Sequence, residues 1–589
     1  MTGTAKDRLE DKHKFTVELL LYSLSFGLAL ALRLLALERW PLLDEEAGLA
    51  LAAWRFAHGL PASLSGHSPL LFQGNALLFF LTGGSDNLAR SWCVLFGSLL
   101  VLLPYGLRRN LGKTGALAAS WLLAISPSFT YFSRAVDGSI VVAFCALGLL
   151  VAIAGYLEKR HPAYVFVMAT LLVLAIMAGP SAYTMLAVLL TFPLFLRLWA
   201  KFAKDRTPLD ELGRAWHDLS AGSRSWRGAL FLAGLLFLGI GLAFTLNPLG
   251  LQMTLDQLGR WLRGFDFLRR SPWYRSLQLL LLYEALPFVC GVASFFVERA
   301  RRDTFGLLLG YWFIFTLLFS IVPGYRPPSS VLLILVPLIL LAGQAMENLW
   351  QGLRMSLRHP LFWVLVTLSL VIVAAAYVQF AVYLLAPMSV YLLRIAALCV
   401  FAVSAYAMLW SVLGPEVPLR AAVISLLLLL LLGLIRTEAR LNYVQARDPV
   451  EPMVGTATSP DVLVLAQQAA QLSSHLKGDP RAMTWQVDEH LEVPLGWYLR
   501  NFEQVDYVSK VATEPDAEAV IVPADAPAPA RYVGLRFRLR SIWMGGGYPI
   551  IEWVRWWTGY KSALAGYQPG DDVMLWVSSS SEQAAGSSE

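Results

Sequence analysis

Charge is scarce in this chain. Only 15% of its 589 residues are Asp, Glu, Lys or Arg, against about 25% in ordinary soluble domains. With 57% hydrophobic residues and a mean hydropathy of +0.57, that shortage excludes a soluble globular body. Cysteine is scarcer still. The four present, Cys93, Cys145, Cys290 and Cys399, all fall in apolar runs, which excludes a disulfide framework and any cysteine-based metal spacing. No stretch has the pattern of a nucleic-acid-binding segment, so nucleic acid is not an expected partner. No cleavage signature follows the N-terminus either. "MTGTAKDRLEDKHK" leads into an apolar run from Phe15 to Leu37, too long for a signal-peptide core. It reads as an uncleaved first span with its basic end in the cytoplasm.

What the chain has instead is long apolar runs. Thirteen lie near 15–37, 87–107, 114–130, 138–157, 163–178, 182–200, 228–246, 276–297, 304–322, 329–347, 361–384, 389–412 and 419–436. Their lengths suit helices crossing a hydrocarbon core of about 30 Å, and they are continuous, not alternating as in a barrel. The expected class is an all-α polytopic membrane protein. The net charge of +6 is then topological. "RRNLGK", "EKRH", the basic stretch 201–227, "ERARRD" and "QGLRMSLRH" alternate with less basic loops, as the positive-inside rule asks. An odd number of spans puts the first loop (38–86), a loop at 247–275 and everything after Arg436 outside the cell membrane.

After Arg436 the composition changes. "DVLVLAQQAAQLSSHL" has helical periodicity. "MTWQVD", "VDYVS", "AEAVIVPA", "RYVGLRFRL" and "DVMLWVSS" read as strands. The division expected is a membrane domain over 1–436, a small extracytoplasmic α/β domain over 437–576 and a disordered tail over 577–589. "YPIIEWVRWWTGYK", with Trp553, Trp556, Trp557, Arg555 and Lys561, suits contact with the membrane surface. So does the loop 247–275, which mixes aromatics with Arg260, Arg263, Arg269, Arg270 and Arg275.

The polar residues that stand out sit at the ends of apolar runs. "WPLLDEEAGLALAAWRFAHG" puts Asp44, Glu45 and Glu46 directly after the first run. A short amphipathic helix from Asp44 to His58, with Asp44 as its cap, accounts for acidic residues there. A carboxylate at an apolar boundary also has a raised proton affinity and is a candidate base. On the same side lie His67 and Ser68 in "GHSPLL", Arg134 and Asp137 in "YFSRAVDGS", and Arg326 in "PGYRPPSS". Taken singly, these are an interfacial His, a local Arg–Asp pair and a snorkelling Arg. Together, carboxylates and arginines on one face suit a phosphate-bearing lipid substrate and a reaction in which a carboxylate deprotonates a hydroxyl.

A first external loop with an Asp-Glu pair resembles the GT-C glycosyltransferases, relatives of the dolichyl-phosphate-mannose protein mannosyltransferases. The stretches "DEEA", "HSPLLFQGNALLFFLTGGSDNLAR", "LLVLLPYGLRRNLGKTGALAASWLLAISPSFTYFSR", "SPWYRSLQLLLLYEALP", "LVPLILLAGQAMENL" and "PLGWYLRNF" are similar to the archaeal and bacterial branch called flippase-activity-associated. The resemblance implies a GT-C fold and transfer of a sugar from a polyprenyl-phosphate carrier to a glycan, lipid or protein acceptor. It implies Asp44 as the base, with Glu45 or Asp137 assisting or holding a metal. His67 and Pro69 match the family's "HGP"-like turn, and Arg134 matches the Arg of its "SR". Three stretches depart from the branch. "AVDGS" places Asp137 two positions early, Arg269 stands where His is usual before "PW", and Arg326 replaces Lys in the late turn. His67, Arg134, Arg269 and Arg326 are the expected substrate-binding residues, with Arg134 and Arg326 on the donor phosphate. No cofactor is required by the sequence, although Mg or Mn suits carboxylates and phosphate. The alternatives are a non-catalytic scaffold or flippase-associated protein of the same fold, and a transporter, for which Glu284 and Arg33 are the main mid-span ionisable candidates.

Overall fold

Each of the thirteen apolar runs carries helix in this computed structural model. It describes residues 5–578 except 64, parts of 204–222, 243–249, 267–271, 296–303, 357, 449–450, 543–549 and 559–567. Among the described residues, eight helices are long and apolar enough to cross a membrane, and a bent pair raises the number to nine. That pair, Arg275–Tyr283 and Ala285–Ser294, turns by 105° at Glu284. Four other runs form shorter helices: Lys113–Ile125, Ala163–Ala178, Ser225–Gly241 and Thr304–Phe319. Backbone polar groups inside lipid must be satisfied within the protein, which keeps these runs helical even where Pro or Gly shortens them.

The first span is α1 (Ala5–Leu34). The first loop then folds into two further helices, α2 (Asp44–Ala57) and α3 (Pro69–Thr82), before α4 (Asp86–Leu100). Ser68 caps α3 by accepting from the Leu71 N–H at 3.3 Å. The cap expected at Asp44 belongs to Glu46 instead, whose carboxylate accepts from the Leu43 N–H at 2.7 Å. The centre of the bundle is the helix Val331–Ser356, whose apolar residues from Val331 to Ala342 are nearly all buried. It packs on Lys113–Ile125, where Gly115 and Gly343 let the two backbones meet.

One glycine matters for the site. A Cβ on Gly138, at the start of the helix Gly138–Lys159, would lie 1.8 Å from the Ala178 carbonyl oxygen. Gly138→Ala is therefore expected to cost ~1–3 kcal/mol through overpacking and to displace the neighbouring Asp137. A lowered melting temperature in detergent would show it, and an unchanged one would remove the close approach from the argument.

The five strands read from the sequence are present. They form a sheet ordered β3–β2–β4–β8–β5, from β2 (Thr484–Asp488), β3 (Gln504–Val508), β4 (Ala519–Pro523), β5 (Tyr532–Arg538) and β8 (Asp572–Ser578). β2 runs parallel to β3 and β4, while β8 is antiparallel to β4 and β5. The helix Asp461–Lys477 covers it, burying Val462, Leu465 and Ala469 with Trp485, Ile521 and Leu575. A second, antiparallel sheet of β1 (Thr456–Thr458), β6 (Arg540–Ile542) and β7 (Gln568–Pro569) lies outside the sequence reading. The expected tail from 577 falls almost wholly outside the described residues.

The C-terminal domain is docked on the first loop. Its helix Glu492–Leu499 packs along α2, and Trp497 Nε1 and the Tyr498 hydroxyl donate to the two oxygens of Asp86 at 2.7 and 3.1 Å. Arg55 and Glu492 pair at 2.6 Å. The helix Ile550–Thr558 was expected on the membrane surface. Its Trp556 is buried edge-on against Tyr283, ring centroids 5.6 Å apart, beneath the Arg440 guanidinium. Lys561 lies outside the described residues.

Candidate active site

Consecutive residues of an α-helix point about 100° apart, so Asp44, Glu45 and Glu46 face three different surroundings. Glu46 turns inward and is 2% exposed. Its Oε2 meets Arg90 at 3.1 Å and Arg447 at 3.0 Å, and its Oε1 accepts from the Val136 N–H at 2.6 Å. Burial alone would raise its proton affinity, but the two guanidinium groups outweigh it and hold the carboxyl below its ordinary value. Glu46 thus ties α2 to α4, to the loop carrying Asp137 and to the linker before the C-terminal domain.

Glu45 points outward. Solvent reaches it, but it lies in a recess crowded by protein. That crowding, then the nearby Asp137 carboxylate, pushes its carboxyl above the ordinary value, with Arg260 opposing. Asp137 caps the helix Gly138–Lys159, accepting from the Ser139 N–H at 2.7 Å and from the Ser329 hydroxyl. Burial raises its proton affinity as well. Arg260, on the helix Gly250–Arg263, faces both carboxylates. It donates to Gln257, whose side-chain amide donates to the His67 carbonyl at 2.5 Å. Gly48 shares a helix face with Glu45, and the His67 ring lies against it. Burial, then Arg260, pushes His67 down to about 4, so its imidazole is neutral at physiological pH.

Asp44 faces the C-terminal domain. Its Oδ1 accepts from the Thr458 hydroxyl at 3.3 Å and its Oδ2 pairs with Arg540. Burial raises its carboxyl and Arg540 opposes that.

The expected site residues divide accordingly. Glu45, Asp137 and His67 come together around Arg260. Arg134 makes no local pair with Asp137. It caps the end of α1, donating to the carbonyls of Leu32, Arg33, Leu35 and Ala36 at 2.6–3.3 Å, and stacks on Tyr443. Arg326 donates to the Ser320 carbonyl at 2.7 Å and to that of Ile321, closing its own turn. That turn reaches the helix carrying Arg260 through the Tyr325 N–H, which donates to the Gly264 carbonyl at 3.2 Å. Arg269 lies outside the described residues. Arg260, Gln257, Arg540, Arg90 and Arg447 are absent from the sequence-derived site. For Arg260 a signal existed, the amphipathic spacing of 250–263, which put Arg260 opposite Leu255, Leu258 and Leu262. Arg540 had none, being 496 positions from Asp44.

Long apolar helices, a folded first loop and a carboxylate recess beside a docked α/β domain define a polytopic membrane protein with a polar site at its helix ends. Residues 66–209 match the family described as dolichyl-phosphate-mannose-protein mannosyltransferase. Among solved structures, the fold is similar to ArnT from Cupriavidus metallidurans. In the apo state the identity is 16%, the TM-score 0.53 and the coverage 95% of this chain and 98% of that one. Bound to undecaprenyl phosphate, the values are 17%, 0.53, 83% and 86%. No curated protein matches the chain. The family match covers residues 66–209, and the likeness to ArnT shows a shared fold.

Proposed function

We propose that the protein moves a sugar from a polyprenyl-phosphate-linked donor to an acceptor hydroxyl on the extracytoplasmic face. The observation that carries this reading is that Glu45 and Asp137 lie within electrostatic reach of each other and of Arg260, which is joined through Gln257 to the His67 carbonyl. The acceptor oxygen attacks the anomeric carbon, the bond to the phosphate oxygen breaks, and the phosphate leaves on its lipid. A single displacement of this kind inverts the anomeric centre. The acceptor proton passes to Glu45, which makes no salt bridge among the described residues and holds protons more strongly than an ordinary Glu. Arg260 offsets the charge gathering on the leaving phosphate. Asp44, both of whose oxygens are engaged by Thr458 and Arg540, holds the start of α2 in place.

Among the described residues, no group of three or more His, Cys, Asp or Glu could hold a metal ion. Glu45 and Asp137 fit a hard divalent cation only if donor phosphate oxygens and water complete its shell, which is how magnesium is often bound. Held there, magnesium or manganese would neutralise phosphate charge. Loss of turnover in EDTA, restored by manganese, would assign the ion to this pair. Undiminished turnover in EDTA would leave that task to Arg260.

The direct test uses the protein in lipid nanodiscs with polyprenyl-phosphate sugars labelled in the sugar. Release of label to water or to an added acceptor is the expected result. Carrier binding without any release would favour the non-catalytic scaffold. One observation favours that second reading: Arg134 and Arg326, expected to grip phosphate, are both engaged by backbone carbonyls. The transporter reading has less support. Glu284 accepts from the Ser126 hydroxyl at 2.6 Å and the Ser128 N–H at 2.9 Å, and Arg33 donates to Ser133 and to backbone carbonyls.

A further inference from the structure

The second sheet of the C-terminal domain brings two side chains to the first loop. β1 and β6 are antiparallel, with Thr458 directly opposite Arg540. Directly opposed residues project from the same face of a ribbon, and both of these reach Asp44, one to each carboxylate oxygen. Arg540 does more than pair. It meets Asp571 at 3.0 Å and donates to the Val493 carbonyl. The Val493 side chain in turn lies against Gly48, one turn along α2 from Asp44. One guanidinium therefore connects the first turn of α2, the strand-end carboxylate Asp571 and the start of the helix Glu492–Leu499, which packs on the second turn of α2.

We propose that Arg540 is a positioning residue of the active centre, so that the C-terminal domain completes the site of the membrane domain. This inference rests on the transferase reading. Arg540 does not touch the recess. It fixes the rotation of the first turn of α2 through Asp44, and that rotation aims Glu45 at Asp137 and Arg260. Several features make the contact more than a surface ion pair. The Arg540 side chain is 19% exposed and that of Asp44 27%, Thr458 is buried beside them, and a planar guanidinium can hold three acceptors where an ammonium holds a looser set.

Two readouts test it. In the nanodisc assay, Arg540→Ala lowers kcat roughly tenfold to a hundredfold, the cost of slightly misplacing a reacting group, while KM for the lipid-linked donor stays the same. Arg540→Lys recovers part of the loss. Arg536→Ala, which removes an exposed pair with Asp572 in the same domain, leaves turnover at the wild-type rate. Independently of turnover, hydrogen–deuterium exchange follows the peptide spanning residues 44–51. Faster exchange there in Arg540→Ala, and not in Arg536→Ala, supports the inference even in a protein that transfers no sugar. Unchanged exchange at 44–51 overturns it, as does wild-type kcat in Arg540→Ala. If wild type releases no sugar while exchange responds as expected, the transferase reading fails and the positioning contact stands. Should Arg540→Ala fail to fold, Arg540→Lys read by the same exchange experiment decides.

Discussion

Glu45→Gln is expected to lower sugar release about 10²–10⁴-fold, the range that a positioned base contributes, with the protein folded and carrier lipid still bound. Gln keeps the size of the side chain and removes only its ability to take a proton. The pH profile gives a second check. A base works when deprotonated, so activity falls as pH drops through the pKa of Glu45. Crowding and the Asp137 carboxylate raise that value, so the acid limb of kcat/KM lies above the ordinary Glu range. Asp137→Asn removes the strongest repelling charge and shifts the limb to lower pH. A limb unmoved by Asp137→Asn would separate the two carboxylates. Strong loss in Asp44→Asn with near-normal turnover in Glu45→Gln would move the base to Asp44.

Glu46→Ala acts on stability instead. Removing one partner of a buried ion pair leaves uncompensated charge and typically costs about 3–5 kcal/mol; here two guanidinium groups, Arg90 and Arg447, are left facing each other's charge. The expected observation is a large drop in melting temperature in detergent, or no folded protein at all. Glu46→Gln preserves shape and should fall in the same direction. The sign of the pH dependence follows from the lowered carboxyl of Glu46 in the folded state. Its contribution is present above the unfolded-state value and is lost as pH falls through the folded-state value. Wild type should therefore lose more melting temperature on acidification than Glu46→Gln does. Equal acid sensitivity would show that the cluster does not govern the loss.

Much of the architecture was legible because it follows from periodicity. All five alternating strands and the helix over 461–477 are where their patterns put them. The strands β1, β6 and β7 span only two or three residues, too few for any period to register. The run 276–297 looked like one span because hydropathy averages over a break. Pro287 suits the first turn of a new helix, and the chain turns by 105° at Glu284. The acidic cluster was legible in the sequence, and the surroundings of each of its members were not. "DEE" announces acidic chemistry, but which residue faces inward depends on where α2 starts. Arg134 and Arg326 carry charge that sequence assigns to ligands, while bare carbonyls at a helix end and in a turn bind them first. The Asp44–Arg540 contact joins residues that no local pattern connects.

Glu46 and Arg447 are 401 positions apart. A ribosome finishes and inserts α2 long before it makes the cation that closes on Glu46 from the far side. Until then Glu46 has only Arg90 of its two cations. The ion cluster is therefore complete only once the linker carrying Arg447 has been made. A chain cut after the last apolar run would contain every long apolar helix, yet its Glu46 would lack one of its two guanidinium partners.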